Sequence, residues 1–250
     1  MKQKVLVTAG AGGIGRAIAR AFLAAEADVF VCDVSQAALD VALADGFQGC
    51  LCDVGDRGQV EDMVAKAAAA LGGIDVLVNN AGVSGPNAAV HQMDPDDWDA
   101  VVRVNLTGTF LVTRLCVPHL IASGNGVIIN MSSAAGRFGY PNRSPYAATK
   151  WGLIGFTKTL AMELGAHNVR ANAILPGAVD GERIQRVFAG RAKAAGQNLE
   201  QAIEAALAKQ SIKRLVDPQD VAALAVFLAS DGARSISGQA LPIDGDLQSN

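Results

Sequence analysis

The sequence predicts an α/β protein built on one doubly wound, mostly parallel sheet. Three observations carry this. Short β-branched runs alternate with stretches of helical spacing, the runs are apolar at nearly every position, and a glycine-rich turn joins the first run to the first helix. Strands apolar on both faces are buried on both faces, which a parallel sheet covered by helices satisfies. Right-handed crossovers then leave the doubly wound arrangement as the economical topology.

Taken in order, residues 4–8, 28–33, 48–53, 75–79, 126–131 and 169–175 are expected as six strands. Between them, residues 13–25, 36–43, 57–71, 98–123 and 146–164 carry helical spacing. The regular alternation fits a single domain over 1–250, with no repeat and no Ser/Pro-rich linker. It breaks between 178 and 217, where two helices are expected at 182–195 and 199–210 without a strand between them. Ligands of open α/β sheets sit beyond the carboxyl ends of the strands. An insertion at about 180–216, after the sixth strand, is therefore read as a lid.

Half of the 250 residues are apolar and 18% are charged, so a globular protein with a sizeable core is expected. The net charge is −3, with no block of like charge, which gives nucleic acid or an anionic membrane no compositional support. The apolar run Val221 to Ala229 is nine residues long, too short to span a bilayer. Met1-Lys2-Gln3-Lys4 precedes only a brief apolar stretch, so no export signal is read. Cys32, Cys50, Cys52 and Cys116 lack metal-ligand spacing and are expected as free thiols in a reducing cytoplasm. His91, His119 and His167 have no partner at ligand spacing. Trp98 and Trp151 are expected to pack on their helices.

The turn Thr8-Ala9-Gly10-Ala11-Gly12-Gly13-Ile14-Gly15 follows a strand and opens a helix. Small residues let the backbone approach a pyrophosphate, which the positive helix terminus holds. Asp33 closes the next strand 21 residues after Gly12, near the roughly 20 expected of a dinucleotide site. Its carboxylate would accept the adenosine ribose hydroxyls and repel a 2′-phosphate, and neither Val34 nor Gly12 offers a cation in compensation. NAD is expected over NADP.

Tyr146 and Lys150 stand at i and i+4 near a helix start and share one face. A phenol is almost fully protonated at neutral pH, and an ammonium one turn away in a partly dry cleft favours the phenolate. Ser133, at the carboxyl end of the fifth strand and 13 residues before Tyr146, is placed to hydrogen-bond a substrate oxygen.

These pieces resemble the short-chain dehydrogenase/reductase family over nearly the whole chain. The matching motifs are the glycine-rich turn, Asp53-Val54, Asn79-Asn80-Ala81-Gly82, Asn105-Leu106-Thr107-Gly108, Ser133, Tyr146 with Lys150, Pro176-Gly177 and Ser237-Gly238-Gln239. The resemblance implies a Rossmann-like fold and interconversion of an alcohol and a ketone. Tyr146 would be the general base or acid, Ser133 would hold the carbonyl oxygen, and Lys150 would activate the tyrosine and bind the nicotinamide ribose. Asn105 would hold a relay water. Gly10, Gly13, Ile14 and Gly15 would line the pyrophosphate, Asp53 and Val54 the adenine, Asn80, Ala81 and Gly82 the central cofactor, and Pro176, Gly177 and Val179 the nicotinamide. The family is usually homotetrameric, often with the Tyr146-bearing helix in an interface.

The chain departs from the family pattern at two places. Ala9 stands where the turn usually has glycine; a negative φ is expected there, with only the clearance altered. Gly181 stands where a carboxamide-contacting threonine is common. In the lid, Ile184, Val187 and Phe188 form a stripe expected to face inward, bordered by Arg183 and Arg186, while Arg143 is expected at the site mouth. Converging arginines would suit an anionic substrate group. The leading expectation is an NAD-dependent dehydrogenase of a polyol, sugar derivative or hydroxy acid. A 3-oxoacyl reductase is the alternative within the family, and a non-catalytic NAD-binding regulator is the alternative outside catalysis.

Overall fold

The computed structural model describes residues 2–248, apart from the side chains of 191 and 193–195. Its centre is a seven-stranded sheet, parallel at every pairing, in the order β3-β2-β1-β4-β5-β6-β7. The strands are β1 (Lys4–Thr8), β2 (Asp28–Asp33), β3 (Gln48–Leu51), β4 (Val76–Asn79), β5 (Val127–Met131), β6 (Arg170–Pro176) and β7 (Ala240–Ile243). The first six match the expected strands to within two residues at either end; β7, paired on the outer side of β6, was not expected.

Alternation along the strands divides the core in two. Val5, Val7, Val76, Val78, Val127 and Ile129 face α1 (Gly13–Ala24), α2 (Gln36–Ala44) and α9 (Pro218–Ala229). Leu6, Leu77 and Ile128 face the opposite layer, made by α3 (Arg57–Leu71), α5 (Thr109–Ala122) and α6 (Ser144–Leu164). Burial of both sheet faces explains the near-continuous apolar runs.

The helix expected at 98–123 is longer and interrupted: α4 (Pro95–Val102) passes through a π turn at Arg103–Gly108 into α5. Residues 95–122 are long and apolar enough to cross a membrane by length and composition, as buried core helices also are. Here Val101, Asn105, Val112, Cys116 and Leu120 are buried in the fold. Trp151 does not pack as expected, being 52% exposed on α6.

Between β6 and α9 stand α7 (Glu182–Ala195) and α8 (Leu199–Leu207), the latter started by an Asn198/Gln201 capping box. A parallel bridge, Val179↔Val216, closes the base of this excursion. An antiparallel bridge, Gln210↔Leu247, ties its exit to the end of the chain. Strand order reverses between β1 and β4, which opens a crevice at their carboxyl ends.

Candidate active site

The turn after β1 is held from below by Asn80, at the end of β4. Asn80 Nδ2 donates to Thr8 O at 3.1 Å and Ala9 O at 3.0 Å, and Thr8 Oγ1 accepts from Asn80 N and Ala81 N, each at 3.0 Å. Two glycines are required by space: a Cβ on Gly15 would stand 2.1 Å from Ala9 O, and one on Gly10 2.7 Å from Val31 Cγ1. Gly12 and Gly13 instead face open space, and the α1 N-terminus has no side-chain cap. Bare amides facing a cavity at a helix N-terminus are what a dinucleotide pyrophosphate needs. The cradle fits that group.

Ala9 corrects the expectation of a negative φ. Its φ is +48°, in the left-handed region, which costs an alanine about 1–2 kcal/mol. Such a conformation persists where its surroundings over-determine it, and the Asn80 bond to Ala9 O does so here.

Asp33 sits at the carboxyl end of β2 on the cavity wall, where Oδ2 accepts from Ala11 N at 3.3 Å and Oδ1 from Ser35 N at 3.1 Å. The cap of α2 is Ser35, not Asp33. Asp53 and Val54 are not brought to this wall. Val54 is buried in the core. Burial opposes the charge on Asp53, but Gly55 N and the Arg103 guanidinium, 2.9 Å from Oδ2, more than offset it and hold the carboxyl below its usual range.

One cavity of about 1120 Å³ runs from this cradle to the start of α6. Gly13, Ile14, Asp33, Asn80, Gly82 and Ser133 share its wall with Tyr146, Lys150, Pro176, Gly177, Val179, Arg143 and Arg183. Gly10 and Gly15 shape the turn from behind. Lys150 Nζ lies 5.6 Å from the centre of the Tyr146 ring and donates to Met131 O at 2.7 Å. Burial, reinforced by the Arg183 charge, brings the Lys150 pKa down to about 7. Ser133 Oγ accepts from Ala135 N at 3.1 Å.

Asn105 lies fully buried in the π turn, a helix irregularity frequent at functional sites. Its Oδ1 accepts from Val83 N at 2.8 Å, and its Nδ2 donates to Val83 O at 2.9 Å and Thr149 Oγ1 at 3.1 Å. One Oδ1 lone pair is left over. A Cβ on Gly82 would stand 3.3 Å from that oxygen and 3.4 Å from Lys150 Nζ, so glycine leaves the most room between them.

Sequence reasoning missed several supports. Ser132 Oγ donates to Lys150 O at 2.7 Å, and Thr149 Oγ1 donates to Tyr146 O at 2.9 Å. The Tyr140 ring stands 6.2 Å from that of Tyr146. Ser132 lay beside Ser133, and Tyr140 and Thr149 lay within the motif's surroundings; their proximity to the site was the available signal. Lys209, Gln210, Leu247 and Gln248 close the far end of the cavity, and nothing in their sequence pattern announces that.

A family model described as enoyl-(acyl carrier protein) reductase matches residues 9–247. The chain belongs to the short-chain dehydrogenase/reductase family. It is 40% identical, over 97% of its length and 96% of the relative's, to a 3-oxoacyl-(acyl-carrier-protein) reductase of Thermotoga maritima. It is 39% identical, over 96% and 95%, to a D-beta-hydroxybutyrate dehydrogenase of Cupriavidus necator. Among solved structures, a single-substitution variant of actinorhodin polyketide ketoreductase with NADPH superimposes with a TM-score of 0.93 at 34% identity, covering 98% of this chain and 96% of the other. NAD+-bound xylitol dehydrogenase gives 0.92 at 30% identity, covering 97% and 98%. Short-chain dehydrogenases are oxidoreductases that work with a nicotinamide cofactor on a small-molecule substrate, and this chain is one of them.

Proposed function

We propose that this chain is an NAD-dependent dehydrogenase interconverting a secondary alcohol and a ketone on a small polyol, sugar derivative or hydroxy acid. The observation that carries the reading is one continuous cavity joining the glycine cradle and Asp33 to Ser133, Tyr146 and Lys150. The cofactor supplies hydride acceptance and donation when bound. Ser133 Oγ hydrogen-bonds the reacting oxygen. Tyr146 takes the hydroxyl proton in oxidation and returns it in reduction. Lys150, fixed by Met131 O, places a positive charge beside the phenol. A lysine at about 7 can lose and regain its proton near neutrality, as a relay through a water on Asn105 requires.

Asp33 supports NAD. Its carboxylate faces the cavity, and the adjacent Gly12, Gly13 and 71%-exposed Val34 supply no cation for a 2′-phosphate. The insertion of α7 and α8 acts as the substrate lid of a single catalytic domain over 1–250, with buried Phe188 as its inward anchor. Exposed Phe110, Trp151 and Met162 on α5 and α6 support a homotetramer burying these helices. Its setting is the cytoplasm, with no nucleic-acid or membrane partner.

The relative that is 40% identical favours a second reading, a 3-oxoacyl reductase. Titration with NAD(H) and NADP(H), then turnover of an alcohol and ketone panel followed through nicotinamide absorbance, separates them. NAD(H) preference with turnover that falls by about 10²–10⁴-fold in Tyr146→Phe is the expected result. NADP(H) preference brings the reductase forward. Binding with no turnover of any panel member leaves a non-catalytic binder.

A further inference from the structure

Beneath α7 a recess of about 440 Å³ adjoins the main cavity. Its charged lining, among the described residues, is three guanidiniums, Arg143, Arg183 and Arg186, and no carboxylate. The loop 82–85 and Val187 complete the wall.

Each arginine arrives from a defined place. Arg143 is the N-cap residue of α6, three positions before Tyr146, and is half-buried, with Nη1 3.3 Å from Ser84 O. Arg183 stands in the first turn of α7, with Nη1 3.4 Å from Gly82 O and Cζ 5.9 Å from the centre of the Tyr146 ring. Arg186 follows one turn later on the same face. Both hydrogen bonds are long and end on neutral carbonyls. Among the described residues, no ion pair engages any of the three. Asp180 and Glu182 line the larger cavity but not the recess, and Asp180 Oδ1 accepts from Gly181 N at 2.8 Å.

Three like charges around one hollow repel each other, and the planar guanidinium fork matches carboxylate and phosphate oxygens in pairs. An anion entering the recess would replace two long neutral bonds with charge-assisted ones and relieve the repulsion. From Arg183 it would also lie within a short carbon chain of the Tyr146 phenol.

We propose that this recess seats an anionic group of the substrate, a carboxylate or a phosphate, gripped by Arg143 and Arg183 and drawn in by Arg186. The substrate is then an acidic alcohol whose carbinol meets Ser133 and Tyr146. The carbinol half of this assignment rests on the oxidoreductase reading above; the anion half does not.

The test is a calorimetric titration of the protein, alone and loaded with NADH, with three probes of one carbon skeleton: propionate, propyl phosphate and propionamide. Propionate or propyl phosphate is expected to bind about tenfold more tightly than the neutral amide, a difference of about 1.4 kcal/mol. The better of the two anions identifies which group the substrate carries. That preference is expected to fall below about threefold in Arg183→Gln and in Arg143→Gln, and to return in part in Arg183→Lys, which keeps the charge but not the fork. Equal binding of acid and amide overturns the proposal, and so does an anion preference that survives both glutamine substitutions. Failure of NADH to bind in the same samples would sink the NAD reading, while titration of the protein alone would still decide the recess.

Discussion

At the nucleotide end of the cavity the polar side chains are already oriented by bonds within the protein, and the Asp33 carboxylate still has lone pairs to offer. Asn80 Nδ2 bridges two carbonyls of the glycine turn, Thr8 Oγ1 takes two amides, and both oxygens of Asp33 accept from backbone N–H groups. Even an alanine in the left-handed region is held in place there. At the substrate end, Arg143 and Arg183 reach carbonyls only at 3.3 and 3.4 Å, on a lid anchored by buried Phe188 and by the Val179↔Val216 bridge at its base. The first region is a cradle whose shape is settled before any ligand arrives. The second keeps charge in reserve for a ligand to satisfy. Preorganisation lowers the cost of binding a constant partner, whereas reserve charge selects among variable ones.

The largest effect expected of this contrast concerns Lys150, a buried cation where the two regions meet. Its folded-state pKa is about 7 against an ordinary 10.5, so the folded protein carries a penalty for the ammonium. Below about pH 7 that penalty is complete; between pH 7 and 10.5 the unfolded chain binds the extra proton, and stability from this group rises with pH. Lys150→Met should therefore abolish turnover yet stabilise the protein by about 3 kcal/mol at pH 6, with the gain shrinking as pH rises above about 7 and clearly smaller at about pH 9. Urea unfolding at both pH values measures this; an equal change at the two would mean the charge is not what Lys150 costs.

Alanine at glycines sharpens the contrast through packing. Gly15→Ala forces a Cβ onto Ala9 O and should lose about 2–3 kcal/mol, or about 5–10 °C in melting temperature, along with cofactor affinity. Gly190→Ala on α7 meets open space and should gain up to about 1 kcal/mol by helix propensity. Thermal melts read both, and a loss at Gly190 would show the lid to be as closely packed as the cradle.

Ala9→Gly carries the smallest change. Releasing the left-handed alanine returns about 1–2 kcal/mol, while the freer unfolded chain takes back about 0.4–1 kcal/mol, leaving a net gain between about 0 and 1.6 kcal/mol. A melt that falls would place the strain elsewhere.

How far the sequence revealed this arrangement depended on what each residue announces locally. Strands β1, β2, β4, β5 and β6 were legible because burial on both faces leaves apolar runs such as Val5-Leu6-Val7, whereas edge strand β3, exposed at Gln48 and Leu51, was marked only by its place in the alternation of strands and helices. Strand β7 was not, because Ala240-Leu241-Pro242-Ile243 is short and carries a proline, which sheets admit at an edge. The π turn was hidden because its residues keep helical spacing while the hydrogen-bond ladder slips around Asn105. The φ of Ala9 ran against its own preference, since tertiary contacts set it. Tyr146, Lys150 and Ser133 were legible because their spacing is itself the chemistry. The arginines were visible as a charge pattern, but their convergence needs loop 82–85 folded against α7, which no local spacing encodes.

The Val179↔Val216 bridge brings the two ends of the lid excursion back to neighbouring positions beside the sheet. In polymer terms the excursion is a closed loop with fixed ends, and doubling such a loop's length costs only about 0.6 kcal/mol. The chain between those valines is therefore an exchangeable cartridge. A descendant of this gene could replace it wholesale, and so change what is oxidised, without retuning the strands that hold the cofactor or the helix that carries the proton.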